Sequence, residues 1–202
     1  MGVRGKWDSV RLTRREAIRA EIDTSIALFL GHSDHVSAHL LAWAATETLR
    51  GLAREARKET FQAILEDRIK SEHLKEWREL LKKTYNFAKH ADRDPHLEIE
   101  DFRPESTSFT IFGSCHDYKL LFGQKSWSMF VFQSWFHCRN PTLVIEPMKS
   151  ILPLVQSSFG SPETATFRES TREALEILIE GKRNPTVVKR QMTESWRNSI
   201  EW

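Results

Sequence analysis

The sequence predicts an all-α fold with a four-helix up-and-down core over about residues 12–90, extended by later helices, and three observations carry that expectation. Apolar residues recur at three- and four-residue spacing along most of the chain, Thr, Asp and Ser stand where helices would start, and no alternation of strand and helix signals points to a parallel sheet. The 202 residues are 40% hydrophobic and 29% charged, with seven Trp and twelve Phe, so one interior can be filled. A single helical domain is expected, its core reaching about residue 140 and a helical extension covering about 141–202.

From Thr13 onward, Ile18, Ile22, Ile26, Phe29 and Leu30 recur every three or four positions with Arg and Glu between them, the pattern of an amphipathic helix ending near Gly31. Asp34 suits the N-cap of a second helix, on which Val36, Leu40, Trp43, Ala44 and Leu52 form an apolar stripe. A short polar turn between them makes an αα-hairpin. Residues 50–83 alternate charges densely, and Phe61, Ile64, Leu65 and Ile69, then Leu74, Trp77, Leu81 and Tyr85, supply two further stripes. The fourth helix should start near Ser71, run to about Lys89 and stop before Pro95. Residues 97–104 are expected as an extended connection. Residues 108–122 and 127–138 are apolar and aromatic and are expected as helices, although Phe, Thr, Tyr and Val also suit strands. Pro141, Pro147, Pro153 and Pro162 punctuate a loop-rich passage with one short helix around residues 148–156. A helix over residues 166–180, closed by Gly181, and a basic helix within 185–202 complete the expectation.

A net charge of +2 does not by itself argue for nucleic acid, because a phosphate-binding surface needs clustered charge. The distribution is uneven. Residues 1–20 hold six Lys or Arg against Asp8 and Glu16, while residues 91–105 hold six acids against Arg93 and Arg103. Solvated helix faces and loops account for this pattern most simply. Cys115 and Cys138 cannot form a disulfide framework and are expected as free thiols. The N-terminal residues have no apolar signal region and no window approaches 18 uninterrupted apolar residues, so a cytoplasmic protein without membrane association is expected.

The segment richest in chemistry is Tyr85-Asn86-Phe87-Ala88-Lys89-His90-Ala91-Asp92-Arg93-Asp94-Pro95. It puts an amide, two cations, an imidazole and two carboxylates at the end of the fourth helix. The helix dipole favours protonated His90 there, and Asp92 or Asp94 could orient its ring, which suits general acid work on a phosphate ester. The competing reading is a C-cap in which Asn86 and His90 bond the last carbonyls.

This string, with Val36-Ser37-Ala38-His39 and Glu47 before it and Trp135-Phe136 and Pro141 after it, resembles a family of small, uncharacterised bacterial proteins over about residues 17–141. More distantly, four helices with Asn-x-x-x-His near the end of the last long one resemble the HEPN (higher eukaryotes and prokaryotes nucleotide-binding) domains. That resemblance implies a metal-independent ribonuclease or a nucleotide-binding protein that pairs around its polar motif. Asn86 matches the motif's polar position and His90 its histidine, but Tyr85 stands where the motif has arginine. A guanidinium there would stabilise charge on the scissile phosphate, so Arg78, two turns earlier on nearly the same face, or Arg93 would have to substitute. The catalytic candidates are therefore His90, Asn86, Arg78 and Arg93, with Lys89, Tyr85, Asp92 and Asp94 binding the ligand.

Other constellations compete. His35 and His39 share a helix face at ligand spacing, and with Glu47 they are the candidates for a metal, although hydrogen bonding that ties the second helix to the fourth is the simpler role for His39 and Glu47. Cys115-His116-Asp117 and His137-Cys138 juxtapose thiol and imidazole, but neighbours on a helix point about 100° apart. Trp127, Phe130, Trp135 and Phe136 could stack bases, yet such a stripe is more often core or a subunit interface. Three function classes remain: a HEPN-like protein that binds or cleaves RNA or a nucleotide without a cofactor, a non-catalytic scaffold for a protein partner, and a metal-dependent helical-bundle enzyme. A homodimer is expected from exposed aromatics in 127–136 and from the HEPN resemblance.

Overall fold

The computed structural model describes residues 11–89, 96, 98–100, 102–143, 156–157, 159, 163, 165–192, 194 and 198–201. Helix α1 (Arg14–Leu30) opens on a capping box: the Thr13 hydroxyl accepts from the Glu16 N–H, and the Glu16 carboxylate accepts from the Thr13 N–H at 2.7 Å. It stops at Gly31, and His32 turns the chain through a positive φ of 49°. Asp34 then caps α2 (His35–Glu55) by accepting from the Ser37 N–H at 2.9 Å. Short α3 (Phe61–Glu66) is capped by Thr60, and a 3-10 turn over Ser71–His73 leads into α4 (Leu74–Lys89).

Helix α5 (Pro104–Phe122) begins four residues earlier than the apolar pattern indicates, because Pro104 has the fixed φ and missing N–H that suit a first helical turn. It ends on Gly123 in the left-handed region at φ 78°. Strand β1 (Lys125–Ser126) follows, and Ser126 also caps α6 (Trp127–Arg139). A second capping box, Thr166 with Glu169, starts α7 (Phe167–Arg183), and α8 (Pro185–Gln191) comes next. Strand β2 (Ile200–Glu201) lies parallel to β1, with Lys125 opposite Ile200 and Ser126 opposite Glu201. The short helix expected around 148–156 falls almost wholly outside the described residues.

The all-α expectation holds, but the helices that make the core differ from the first four. Helix α2 packs chiefly on α1 and α5, α1 also on α6 and α7, and α6 on α7, whereas α4 packs mainly on α2 alone. The reason lies in the patterns. Helices α5 and α6 carry apolar or small residues around most of their circumference and become buried, while α4 has a narrow stripe on a charged cylinder and stays peripheral. Ile22, Ile26 and Phe29 meet Ile111, Cys115, Phe132 and Trp135 in the interior, and Ala38, Ala42 and Ala45 let α2 approach its neighbours closely.

Trp127, Trp135 and Phe136 are not an exposed dimer surface: they are buried within this one chain, with Trp135 donating its indole N–H to Ser170 at 3.1 Å. Gly181 does not close α7 but lies inside it, under the ring of Trp127, and Asn184 is the C-cap. No helix among the described residues is long and apolar enough to cross a membrane.

Candidate functional site

The apolar stripe of α4 turns Trp77, Leu81 and Tyr85 toward the body of the protein, with the Tyr85 ring 6.0 Å from that of Trp43 on α2. The adjoining edge of the helix is polar and faces solvent. Lys75, Arg78, Glu79, Lys82 and Asn86, with Ser71 and Leu74, line an open groove of ≈ 470 Å³, and Lys75 pairs with Glu79 at 3.9 Å. Lys89 extends this edge, its ammonium 5.2 Å above the Tyr85 ring. From Lys75 to Lys89 the edge runs about 21 Å at the helical rise.

The candidates within this segment have distinct surroundings. Asn86 and Lys89 are exposed, and Tyr85 is half-buried between Trp43 and Lys89. Arg78 is committed: its Nε donates to Glu66 Oε2 at 3.0 Å and its Nη2 donates to the same oxygen, while Gln62 donates to the other carboxylate oxygen at 2.8 Å. The guanidinium holds the Glu66 carboxyl below its usual range, and the pair fastens α4 to α3. Lys82 is partly buried and, unlike Lys75 and Arg78, forms no ion pair among the described residues. His90, Asp92, Arg93 and Asp94 lie outside the described residues.

The metal candidates are not brought together. His39 is 4% exposed, its ring stacked on Trp43 at 6.3 Å and its Nδ1 3.4 Å from the Thr107 hydroxyl. Burial pushes its pKa down to about 4, so it is neutral. His35 sets its ring edge against Phe29 and His32. Glu47 is exposed and paired with Arg50 of its own helix at 2.9 Å, about 18 Å along the axis from His35. Among the described residues no group of three or more His, Cys, Asp or Glu could hold a metal ion. The bonds expected from His39 and Glu47 to the fourth helix are also not made; the Trp43–Tyr85 contact joins α2 to α4 instead.

Cys115 and Cys138 are free and buried, and burial pushes both thiols up, Cys138 to about 12, which makes them poor nucleophiles near neutral pH. Asp117 does not serve a thiol: its Oδ1 accepts from the Phe61 N–H at 2.7 Å at the start of α3 and lies 3.0 Å from His116 Nδ1.

One feature has no local sequence signal. Trp43, Phe61, Trp77, Leu81, Phe109 and Gly113, from four separate helices, line an apolar recess of ≈ 100 Å³. Only tertiary packing assembles it; the sequence cue was an aromatic on each helix, which reads equally well as core. Comparison with protein-family models, with curated proteins and with solved structures returns no match for the chain.

Proposed function

We propose that this chain is a HEPN-like protein that binds the phosphates of RNA or of a nucleotide along α4. The observation that carries the reading is the edge on which Lys75, Lys82, Asn86 and Lys89 follow one another over about 21 Å, with Glu79 pairing Lys75 and the ammonium groups of Lys82 and Lys89 left outside any ion pair among the described residues. Lys82 and Lys89 are the primary phosphate ligands, because Arg78 already serves Glu66. If the protein also cleaves, His90, which follows Lys89 in sequence, is the general acid and base of a metal-independent endoribonuclease, with Arg93 as its cation. The HEPN resemblance further supports a homodimer in which two such segments face each other.

A second reading, a non-catalytic scaffold, is favoured by a specific observation: Arg78 and Tyr85 are both spent on holding α4 against α3 and α2. RNA binding measured against salt separates the two. The first reading expects Lys82→Ala and Lys89→Ala each to weaken binding and to lower the salt slope by about 1. Cleavage, where present, should survive excess chelator and disappear in His90→Ala. Unchanged affinity in both lysine variants, with His90→Ala altering only the melting temperature, would leave the scaffold. Light scattering at high protein concentration tests the homodimer.

A further inference from the structure

We propose that His116 is a phosphoryl-acceptor site, a surface imidazole of α5 whose Nε2 takes a phosphoryl group while Asp117 holds Nδ1. The site uses no residue of the α4 edge, so it stands or falls independently of RNA or nucleotide binding there. Neighbours on a helix point about 100° apart, and the sequence alone gives no reason for His116 and Asp117 to meet. In the structure they do: Asp117 Oδ1 lies 3.0 Å from His116 Nδ1 and also accepts from the Phe61 N–H at 2.7 Å.

The pairing fixes the tautomer. An ionised carboxylate only accepts, so Nδ1 carries the hydrogen and the lone pair of the neutral ring is left on Nε2. The Asp117 side chain is 2% exposed and that of His116 is 39% exposed, which hides the carboxylate from water and leaves the imidazole within reach of a second molecule. Phe61 packs against the ring at 5.6 Å between centroids. The charge of Asp117 is not required to start α3, because an asparagine oxygen would accept the Phe61 N–H as well, whereas burying a carboxylate is costly. What the carboxylate adds is support for the positive charge that builds on an imidazole when Nε2 forms a bond.

Two cations mark the incoming group as an anion. Lys119 follows His116 by three residues and so shares its face of α5, and Lys58 donates to the carbonyl of Leu120, one turn after His116, at 2.6 Å. Both are exposed, and neither forms an ion pair among the described residues. A dianionic phosphoryl group suits these neighbours, and a neutral acyl group does not use them. The donor is a compound with a phosphorus–nitrogen bond. The Nε2 lone pair attacks phosphorus, a new N–P bond forms, and the donor's P–N bond breaks with its electron pair leaving on the donor nitrogen. From phosphoramidate, whose nitrogen is already fully protonated, that leaving group is ammonia. The Nδ1 hydrogen stays on the ring, bonded to Asp117, and nothing is oxidised or reduced.

The test incubates the full chain with phosphoramidate and maps acid-labile phosphate by mass spectrometry over time. His73 is the internal control, because its side chain is 60% exposed but its carboxylate neighbours are 3.7 Å and 3.8 Å away and are themselves exposed. His116 should be labelled about ten-fold faster than His73, and Asp117→Asn should slow His116 about ten-fold without changing His73. Lys119→Ala alters only an exposed side chain and keeps the test valid if Asp117→Asn fails to fold. It should slow His116 roughly three-fold at low salt and less at high salt. No phosphate on His116, equal rates at His116 and His73, or a His116 rate that ignores both substitutions overturns the assignment.

Discussion

His39 has its imidazole in a place where a proton is costly: stacked on Trp43, edge-on to Phe102, and with an Nε2 that finds no partner among the described residues. Its folded pKa of about 4 lies below the 6.5 of a free histidine, so the unfolded chain binds the proton more readily. The stability this gives is fully present above pH 6.5 and is lost as the pH falls from there toward 4, a loss of about 3 kcal/mol from this one residue. His39→Phe should keep the stacked ring and flatten that part of the acid limb. Urea melts of both proteins at pH 7 and pH 4.5 check it, and parallel pH dependences would refute it.

Helix α7 sets two opposing effects against each other at Gly181. Alanine is worth about 1 kcal/mol over glycine inside a helix. A Cβ at 181, however, would stand 2.2 Å from the Trp127 ring, whose N–H is held by the Leu178 carbonyl at 3.2 Å. Overpacking of this kind costs about 1–3 kcal/mol, so Gly181→Ala should lower the melting temperature even though it favours the helix. An unchanged or raised melting temperature would show that Trp127 can move aside. This position marks where the sequence is legible and where it is not. The starts of α1, α2 and α7 can be read because Thr13, Asp34 and Thr166 act on backbone groups three residues away. Gly181 reads as a stop because glycine usually ends helices, and only Trp127, 54 positions earlier, shows why it sits within one. The apolar recess is hidden for the same reason: Trp43 and Phe109 reveal their shared cavity only when α2 and α5 pack.

At the scale of the molecule, a single carboxylate closes the edge where β1 and β2 pair. Glu201 is 2.9 Å from Arg15 and 3.1 Å from Arg19 and accepts from the Tyr118 hydroxyl at 3.3 Å, so α1, α5 and β2 meet on one residue. The groups are partly exposed, and Glu201→Ala should cost about 1 kcal/mol at low salt and less at high salt. Equal stability of variant and wild type at both ionic strengths would sink that expectation. No periodicity in the sequence announces this pairing, since β2 is two residues long and its partner strand begins 75 positions earlier. The same contact orders events during synthesis. Arg15 leaves the ribosome 186 residues ahead of Glu201, an interval of roughly 10–40 s at ordinary elongation rates. Throughout that interval the α1–α2 hairpin can already be formed, with Arg19 paired to Asp23 of its own helix at 3.6 Å while Arg15 waits for Glu201. Arg15 is therefore the cation of this cluster that meets its carboxylate last, a delay set by the 186-residue separation in sequence and not by distance in the fold.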